Sequence, residues 1–317
     1  MTVSSFTRCL GCNFFFASRP SPNLRIGIVI LGLGFGVWAS ACSKLPFLSS
    51  DNPPAASGPP APGSTVVYSA VGASDAIGYG SSAVCLPFVD CPDGMGYVPV
   101  TVRALKAKSF TVKLLNLGIP TAVIGPDFEA IGLQYGRTIV SNFITSEMPF
   151  VQTDSTVTTV FAGVNDVITV VSALGSGAGG SDPAGYIDAQ VKAFTSDYAA
   201  LVAGIRARAS ATRIIVLNVP NVAALPYFAG AALDQRQAQQ RLSVGFTTAA
   251  VNVLTAQGVI VVDLMCDARS YLASNYSSDF HPNDAGYAFI SSEIVNAITS
   301  SSYPAPLSSC PPMTAVP

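Results

Sequence analysis

The sequence predicts a three-layer α/β/α sandwich built on a mainly parallel, five-stranded sheet. Short apolar runs rich in Val and Ile alternate along the chain with longer stretches in which apolar residues recur at helical spacing. Each apolar run is bounded by Gly, Pro or Asn, as expected of strands that are buried on both faces. Strands that alternate with helices need crossover connections, and these make the sheet parallel with helices on both of its faces.

The individual elements follow from the same patterns. Five apolar runs are predicted to be strands, at 65–72, 111–118, 156–163, 212–220 and 258–265. Three stretches have helical spacing and good helix formers, at 186–209, 234–257 and 283–300. The glycine-rich stretch 174–185 is predicted to be a flexible surface loop, because its glycines lack the preceding strand and following helix of a phosphate site. There is no internal repeat and no sign of a second domain.

Composition narrows the class of protein. Of 317 residues, 50% are hydrophobic and 11% are charged, which is typical of a packed globular protein. The first 41 residues contain three arginines and no acid, so residues 42–317 have a net charge of −5. Because no Lys/Arg cluster is present, a nucleic-acid surface is excluded.

The N-terminal region has the pattern of an export signal. A basic stretch around Arg19 and Arg25 precedes residues 26–39, which are apolar, uncharged and too short for a comfortable membrane span. The next residues, Ala39-Ser40-Ala41-Cys42, resemble a bacterial lipoprotein box, in which the cysteine is lipidated. An ordinary signal peptide would instead leave Cys42 as a plain thiol.

Three segments are therefore predicted. Residues 1–41 are a signal peptide with an N-terminal extension, and residues 42–64 are the lipidated cysteine and a tether rich in Pro, Ser and Gly. Residues 65–317 form the folded domain. The expected location is the cell envelope, at the periplasmic face or the cell surface.

The remaining cysteines of the exported part indicate an oxidising compartment. There are four of them, Cys85, Cys91, Cys266 and Cys310, and an even number favours two disulfides. Proximity along the chain favours Cys85–Cys91 and Cys266–Cys310, although three pairings are possible. A four-thiolate metal site would need paired CxxC spacing, which is absent.

Three polar stretches lie at predicted strand ends or loops, where the ligands of such sheets bind. Ser74 follows the first strand in Gly72-Ala73-Ser74, either as an exposed hydroxyl or as a helix N-cap. Asn165 follows the third strand after Gly163, where an Asn-Asp pair is also an ordinary turn signal. His281, the only histidine, precedes Pro282 just before the last helix. An isolated histidine is more often a passive residue.

Together these stretches contain the parts of a serine acyl-transfer site. Serine is a poor nucleophile unless a base removes its proton, and imidazole is the base suited to neutral pH. Asn165, with backbone N–H groups near Ser74, would supply donors to an oxyanion.

The order of these motifs resembles that of the SGNH (GDSL) hydrolase family. GASDAIGYG at 72–80 is similar to the family's first block, GVND at 163–166 to its GxND block, and FHPND at 280–284 to its DxxHP block. The resemblance implies a flavodoxin-like sandwich in which Ser74 is the nucleophile, His281 the base, and Asn165, Gly163 and the Ser74 backbone form the oxyanion hole. The GxSxG elbow of α/β-hydrolases fits less well, because Ala76 replaces its last glycine and Ser74 follows the first strand.

Two positions depart from the family pattern. The glycine of the second block, whose N–H serves the oxyanion hole, is replaced by Thr121, and Gly118 is the alternative donor. The family's aspartate stands three residues before the histidine, where this chain has Ser278. Asp279, two residues before His281, is the favoured acid, while Ser278 or a backbone carbonyl are the alternatives.

These observations predict an exported, membrane-anchored serine esterase that acts on a small-molecule, glycan or lipid ester. No metal, organic cofactor or nucleic-acid partner is called for, and the oligomeric state is left open. A binding lipoprotein with the same fold but no catalysis is the main alternative, since the changes at Thr121 and Ser278 would permit it.

Overall fold

A computed structural model describes residues 57–317 of the chain. The predicted signal peptide, Cys42 and residues 43–56 of the predicted tether lie outside the described residues. Asp51–Pro317 forms one compact unit. Within the described range, none of the helices combines the length and the apolar character needed to cross a bilayer.

Five parallel strands form one sheet, in the order β2-β1-β3-β4-β5. The strands are β1 (Thr65–Val71), β2 (Thr111–Asn116), β3 (Val157–Phe161), β4 (Arg213–Leu217) and β5 (Ile260–Val262). All five overlap the predicted runs and are shorter than them by one to five residues. The order is that of the flavodoxin-like class, in which ligands bind beyond the carboxyl ends of the strands. The predicted fold class is confirmed.

The described chain has seven α-helices, of which six lie between strands and the last follows β5. They are α1 (Ser74–Ile77), α2 (Tyr97–Ala107), α3 (Pro126–Gln134), α4 (Val164–Gly175), α5 (Pro183–Arg208), α6 (Leu233–Gly245) and α7 (Asp284–Thr299). The helix predicted at 234–257 is divided, because α6 gives way to a π-helical turn at Phe246–Val251 and a 3-10 turn at Asn252–Gln257. The predicted loop 174–185 is shorter than expected, since α4 and α5 extend into it from both ends.

Two apolar cores lie on opposite faces of the sheet. Tyr68 and Ile215 face the core shared with α2 and α7, whereas Val71 and Val216 face the core shared with α3, α4, α5 and α6. Both cores and both disulfides consist of residues within 57–317. Among the described residues, the apolar cores thus lie inside the compact unit Asp51–Pro317, and we expect this unit to fold on its own.

Both predicted disulfides are present. Cys85–Cys91 closes a small loop between α1 and α2, and Cys266–Cys310 joins the segment after β5 to the C-terminal tail. The tail beyond Cys310 is packed on the domain, with Met313 and Val316 buried.

Candidate active site

Ser74 follows the carboxyl end of β1 and is the first residue of α1. Gly72 allows this turn, because a Cβ there would stand 2.9 Å from the Tyr97 hydroxyl. The N-cap of α1 is Ala73, and it makes no side-chain cap. Ser74 is thus free of the capping role, and its Oγ lies 2.9 Å from His281 Nε2.

The Asp279 carboxylate lies on the other side of the His281 ring. Its Oδ2 and Oδ1 are 3.0 and 3.1 Å from Nδ1, and Oδ1 also accepts the His281 backbone N–H at 2.8 Å. A proton on Nδ1 donates to the carboxylate, which leaves Nε2 to accept from the Ser74 hydroxyl. The three side chains therefore form a continuous hydrogen-bonded series.

A tight loop makes the two-residue spacing possible. The Ser277 N–H donates to the His281 carbonyl, and Ser277 Oγ donates to Asp279 Oδ1 at 2.7 Å. Ser278 is exposed and makes no hydrogen bond with the ring among the described contacts. Desolvation raises the pKa of Asp279, but hydrogen bonds from the His281 N–H, Ser277 and the His281 ring outweigh it and lower that pKa below its ordinary value.

The position of His281 is fixed from several sides. Asn283 caps α7 by accepting the N–H groups of Ala285 and Gly286, which sets the start of the helix directly after Pro282. The Phe280 ring stacks on the imidazole with centroids 4.2 Å apart, and the Tyr79 ring lies 5.7 Å away. Because His281 is 8% exposed, its ring has little freedom to turn.

Asn165 is held in the first turn of α4. Gly163 precedes this helix at φ 117, and a Cβ there would overlap the Val219 side chain. The Asn165 Nδ2 donates to the Ala122 carbonyl at 3.1 Å, while Oδ1 accepts from Arg137 Nη2 at 2.8 Å. The amide is therefore oriented by contacts on both of its ends.

Thr121 and Gly118, the two alternatives for the second backbone donor, differ in their surroundings. The Gly118 N–H donates to Asn116 Oδ1 at 3.1 Å, so it is already engaged. Thr121 has φ 63 in a turn closed by the Ala122 N–H and the Ile119 carbonyl. Its N–H has no acceptor among the described hydrogen bonds. The left-handed conformation explains why a glycine is expected at this position.

Two further residues at the site were missed in the sequence. Arg137 donates to the Asn165 carbonyl oxygen, to Asn165 Oδ1 and to Thr169 Oγ1. Glu147 is fully buried, and its Oε2 accepts the Gly72 N–H at 2.9 Å behind the Ser74 turn. Burial raises the pKa of Glu147 well above its ordinary range. Neither residue lies in a recognisable motif. Each contacts a partner that is far away in the chain, so no local pattern in the sequence indicates the contact.

Comparison with known proteins identifies the family. The family model described as GDSL-like Lipase/Acylhydrolase family matches residues 70–289. The chain therefore belongs to this family, and it is an ester-cleaving hydrolase. The match spans the segments that contain Ser74, Asn165 and His281.

Solved structures with the same fold include two lipases. The lipase Lip_vut3 from goat rumen metagenome is 17% identical, with a TM-score of 0.51 over 74% of this chain and 98% of that chain. An extracellular lipase from Streptomyces rimosus is 14% identical, with a TM-score of 0.50 over 74% of this chain and 100% of that chain. At such identities the likeness concerns the fold. No curated protein sequence matches the chain.

Proposed function

We propose that this protein is a serine esterase in which Ser74, His281 and Asp279 act as nucleophile, base and orienting acid. The observation that supports the proposal is the hydrogen-bonded series from Ser74 Oγ through the His281 ring to the Asp279 carboxylate. Serine is activated as a nucleophile only when a positioned base accepts its proton. His281 is the single histidine of the chain, so no other imidazole competes for this role.

The reaction proceeds in two halves. Ser74 Oγ attacks the ester carbonyl carbon while its proton passes to His281 Nε2, and the carbonyl oxygen becomes an oxyanion. Collapse of this intermediate breaks the bond to the leaving alcohol, which receives the proton from Nε2. Water then attacks the acyl-enzyme with His281 again as the base, which releases the acid and restores Ser74.

The oxyanion hole is assigned to three donors. They are the Ser74 backbone N–H, the Asn165 Nδ2 and the Thr121 backbone N–H. Thr121 is preferred to Gly118 because the Gly118 N–H is engaged by the Asn116 side chain. Gly163 contributes by letting α4 begin close behind the site. Removal of one such donor typically costs ~10²–10³ in rate.

The proposal includes export and anchoring to the cell envelope. Its support is the apolar stretch 26–39 behind a basic flank, followed by Cys42 and a tether rich in Pro and Ser. The substrate is placed in the class of small-molecule, glycan or lipid esters, because the assigned nucleophile and oxyanion donors act on the acyl carbonyl that all of these esters share.

The first test is hydrolysis of short-chain chromogenic esters by the Asp51–Pro317 fragment. Ser74→Ala and His281→Ala are expected to remove activity, whereas Asp279→Ala lowers kcat by up to ~10⁴ because the ring loses its orienting acid. Ser278→Ala is the matched control in the same loop, and we expect it to keep most of the activity. Circular dichroism establishes that each variant is folded.

Three outcomes would contradict the assignment or a part of it. Activity in Ser74→Ala equal to that of the parent fragment would exclude the serine mechanism, and the absence of any hydrolysis across several acyl lengths would favour a binding protein. Equal activities for Asp279→Ala and Ser278→Ala would leave a Ser-His dyad.

A further inference from the structure

A small disulfide-closed loop beside the site exposes a cluster of apolar side chains. This apolar tip, residues 84–89, lies between α1 and α2 and is closed by the Cys85–Cys91 disulfide. Its exposed fractions are high: Val84 50%, Leu86 70%, Phe88 53% and Val89 53%. Scattered single apolar residues on a surface are ordinary, but a contiguous group marks a contact surface.

Hydrogen bonds at both ends of the loop keep the apolar side chains of the tip exposed. The Cys85 N–H donates to the Ile77 carbonyl of α1 at 2.8 Å, and the Met95 N–H donates to the Ala83 carbonyl at 2.8 Å. Arg103 of α2 donates to the carbonyls of Pro92 and Gly94 at 2.6 and 2.7 Å. These bonds and the disulfide hold both ends of the loop, so the apolar tip projects away from the core.

The chain just before this loop contacts the His281 side of the candidate site. Ser82 donates from its N–H and its Oγ to the Asp284 carboxylate, at 2.8 and 2.6 Å, three residues after His281. Gly80 lies so close to His281 that a Cβ would stand 2.7 Å from the His281 Cβ. A surface that binds the apolar tip is therefore brought next to the Ser74–His281 pair.

We infer that the apolar tip is a docking element that inserts into an electrically neutral lipid surface. A stable protein partner typically covers ~800 Å² and about 20 residues on each side, whereas this cluster has four side chains on a convex loop. Shallow insertion of a few apolar side chains is enough to add affinity for a lipid surface. The segment from Gly72 to Val102 contains no Lys or Arg and three aspartates, and the Arg103 guanidinium beside it is engaged by the Pro92 and Gly94 carbonyls, which favours zwitterionic over anionic lipid.

The test uses a fluorescent reporter at the tip. The only tryptophan of the chain is Trp38, so the Asp51–Pro317 fragment has none, and Phe88→Trp introduces a single probe. With phosphatidylcholine vesicles we expect the emission to shift to the blue and to be quenched by brominated lipid chains. Replacing half of the lipid by anionic phosphatidylglycerol is expected not to strengthen binding.

Paired variants without the reporter identify the residues responsible. Leu86→Ser/Phe88→Ser is expected to weaken vesicle binding in sedimentation at least tenfold. Val253→Ser/Leu307→Ser is the matched control, because Val253 and Leu307 are exposed at 50% and 57% and lie in other parts of the chain. Near-ultraviolet circular dichroism verifies that both double variants are folded.

Each alternative result would overturn the inference. It fails if Phe88→Trp shows no blue shift, if the two double variants bind vesicles equally, or if only anionic vesicles bind. A concentration-dependent dimer that Leu86→Ser/Phe88→Ser abolishes would show that the tip binds a second copy of the chain instead. These readouts do not depend on hydrolysis, so they stay separate from the test of the proposed mechanism.

Discussion

The Asp279 carboxylate reaches the His281 ring with only Phe280 between them in the chain. Asp279 Oδ1 accepts the His281 backbone N–H and also lies 3.1 Å from His281 Nδ1, so one carboxylate oxygen contacts both the backbone and the ring of the same residue. The sequence left Asp279, Ser278 and a backbone carbonyl open, because a two-residue spacing does not fix the loop path. The folded loop places the carboxylate beside Nδ1 and leaves Ser278 exposed, while the catalytic role of Asp279 stays a prediction.

Arg137 is expected to position the Asn165 amide. Its guanidinium donates to Asn165 Oδ1 at 2.8 Å, which directs Nδ2 away from it and polarises the amide. We predict that Arg137→Met lowers kcat by about tenfold with little change in KM, since the contact orients the amide that we propose as an oxyanion donor. Arg241→Met is the control, because Arg241 makes an exposed ion pair with Asp188.

A double-mutant cycle separates this role from a structural one. If Arg137 acts through Asn165, Arg137→Met has no further effect on kcat in an Asn165→Ala background. Fully additive losses would contradict the positioning role. The same cycle distinguishes failure of the oxyanion assignment, which would appear as unchanged activity in Asn165→Ala alone.

The strands and helices differ in how clearly the local sequence predicts them. The five strands are runs of Val and Ile bounded by breakers, and α5 and α7 have long helical patterns. In contrast, α2, α3 and α4 were missed. The sequences of α2 and α4, YVPVTVRALKA and VNDVITVVSALG, are rich in β-branched residues that have low helix propensity. In α2 and α4 the apolar residues nevertheless recur at helical spacing, and packing of that apolar face against the sheet stabilises both helices.

The two disulfides should differ in their effect on stability. They close segments of 44 residues for Cys266–Cys310 and 6 residues for Cys85–Cys91. From loop-closure entropy, we expect Cys266→Ser/Cys310→Ser to lower the free energy of unfolding by about 4 kcal/mol and Cys85→Ser/Cys91→Ser by about 2 kcal/mol. Urea unfolding of the two double variants measures the difference. Equal losses, or a larger loss at the short loop, would contradict this ranking.

The stability of the entire domain is expected to depend on pH through buried carboxyl groups. Burial raises the pKa of Asp166 to about 7, despite the hydrogen bond from the Ile124 N–H and the nearby Arg137 charge. The folded state therefore keeps a proton that the unfolded chain releases near pH 4. This contribution to stability is fully present below pH 4 and is lost as the pH rises through about 7.

The corresponding variant is Asp166→Asn, in which the amide oxygen still accepts the Ile124 N–H. In the parent protein, the free energy of unfolding is expected to fall between pH 4.5 and pH 8. We expect Asp166→Asn to remove roughly 1–4 kcal/mol of this fall, as measured by urea unfolding at the two pH values. Some slope should remain, because burial also raises the pKa values of Glu147 and Asp75. Asp188→Asn, at an exposed position, is the control. An unchanged slope in Asp166→Asn would contradict the prediction.

The sequence by itself determined the class of fold and indicated the side chains that we propose to be reactive. Buried strands need runs of apolar residues, and a single histidine leaves one imidazole for base catalysis, so both are local properties of the chain. Strand order and the contacts of Arg137, Glu147 and Asp279 were decided by the tertiary structure. The physical reason is distance along the chain, because strand pairing and the contacts of Arg137 and Glu147 join residues that are far apart in the sequence. The Asp279 contact is local, but it depends on a loop path that the spacing alone does not specify.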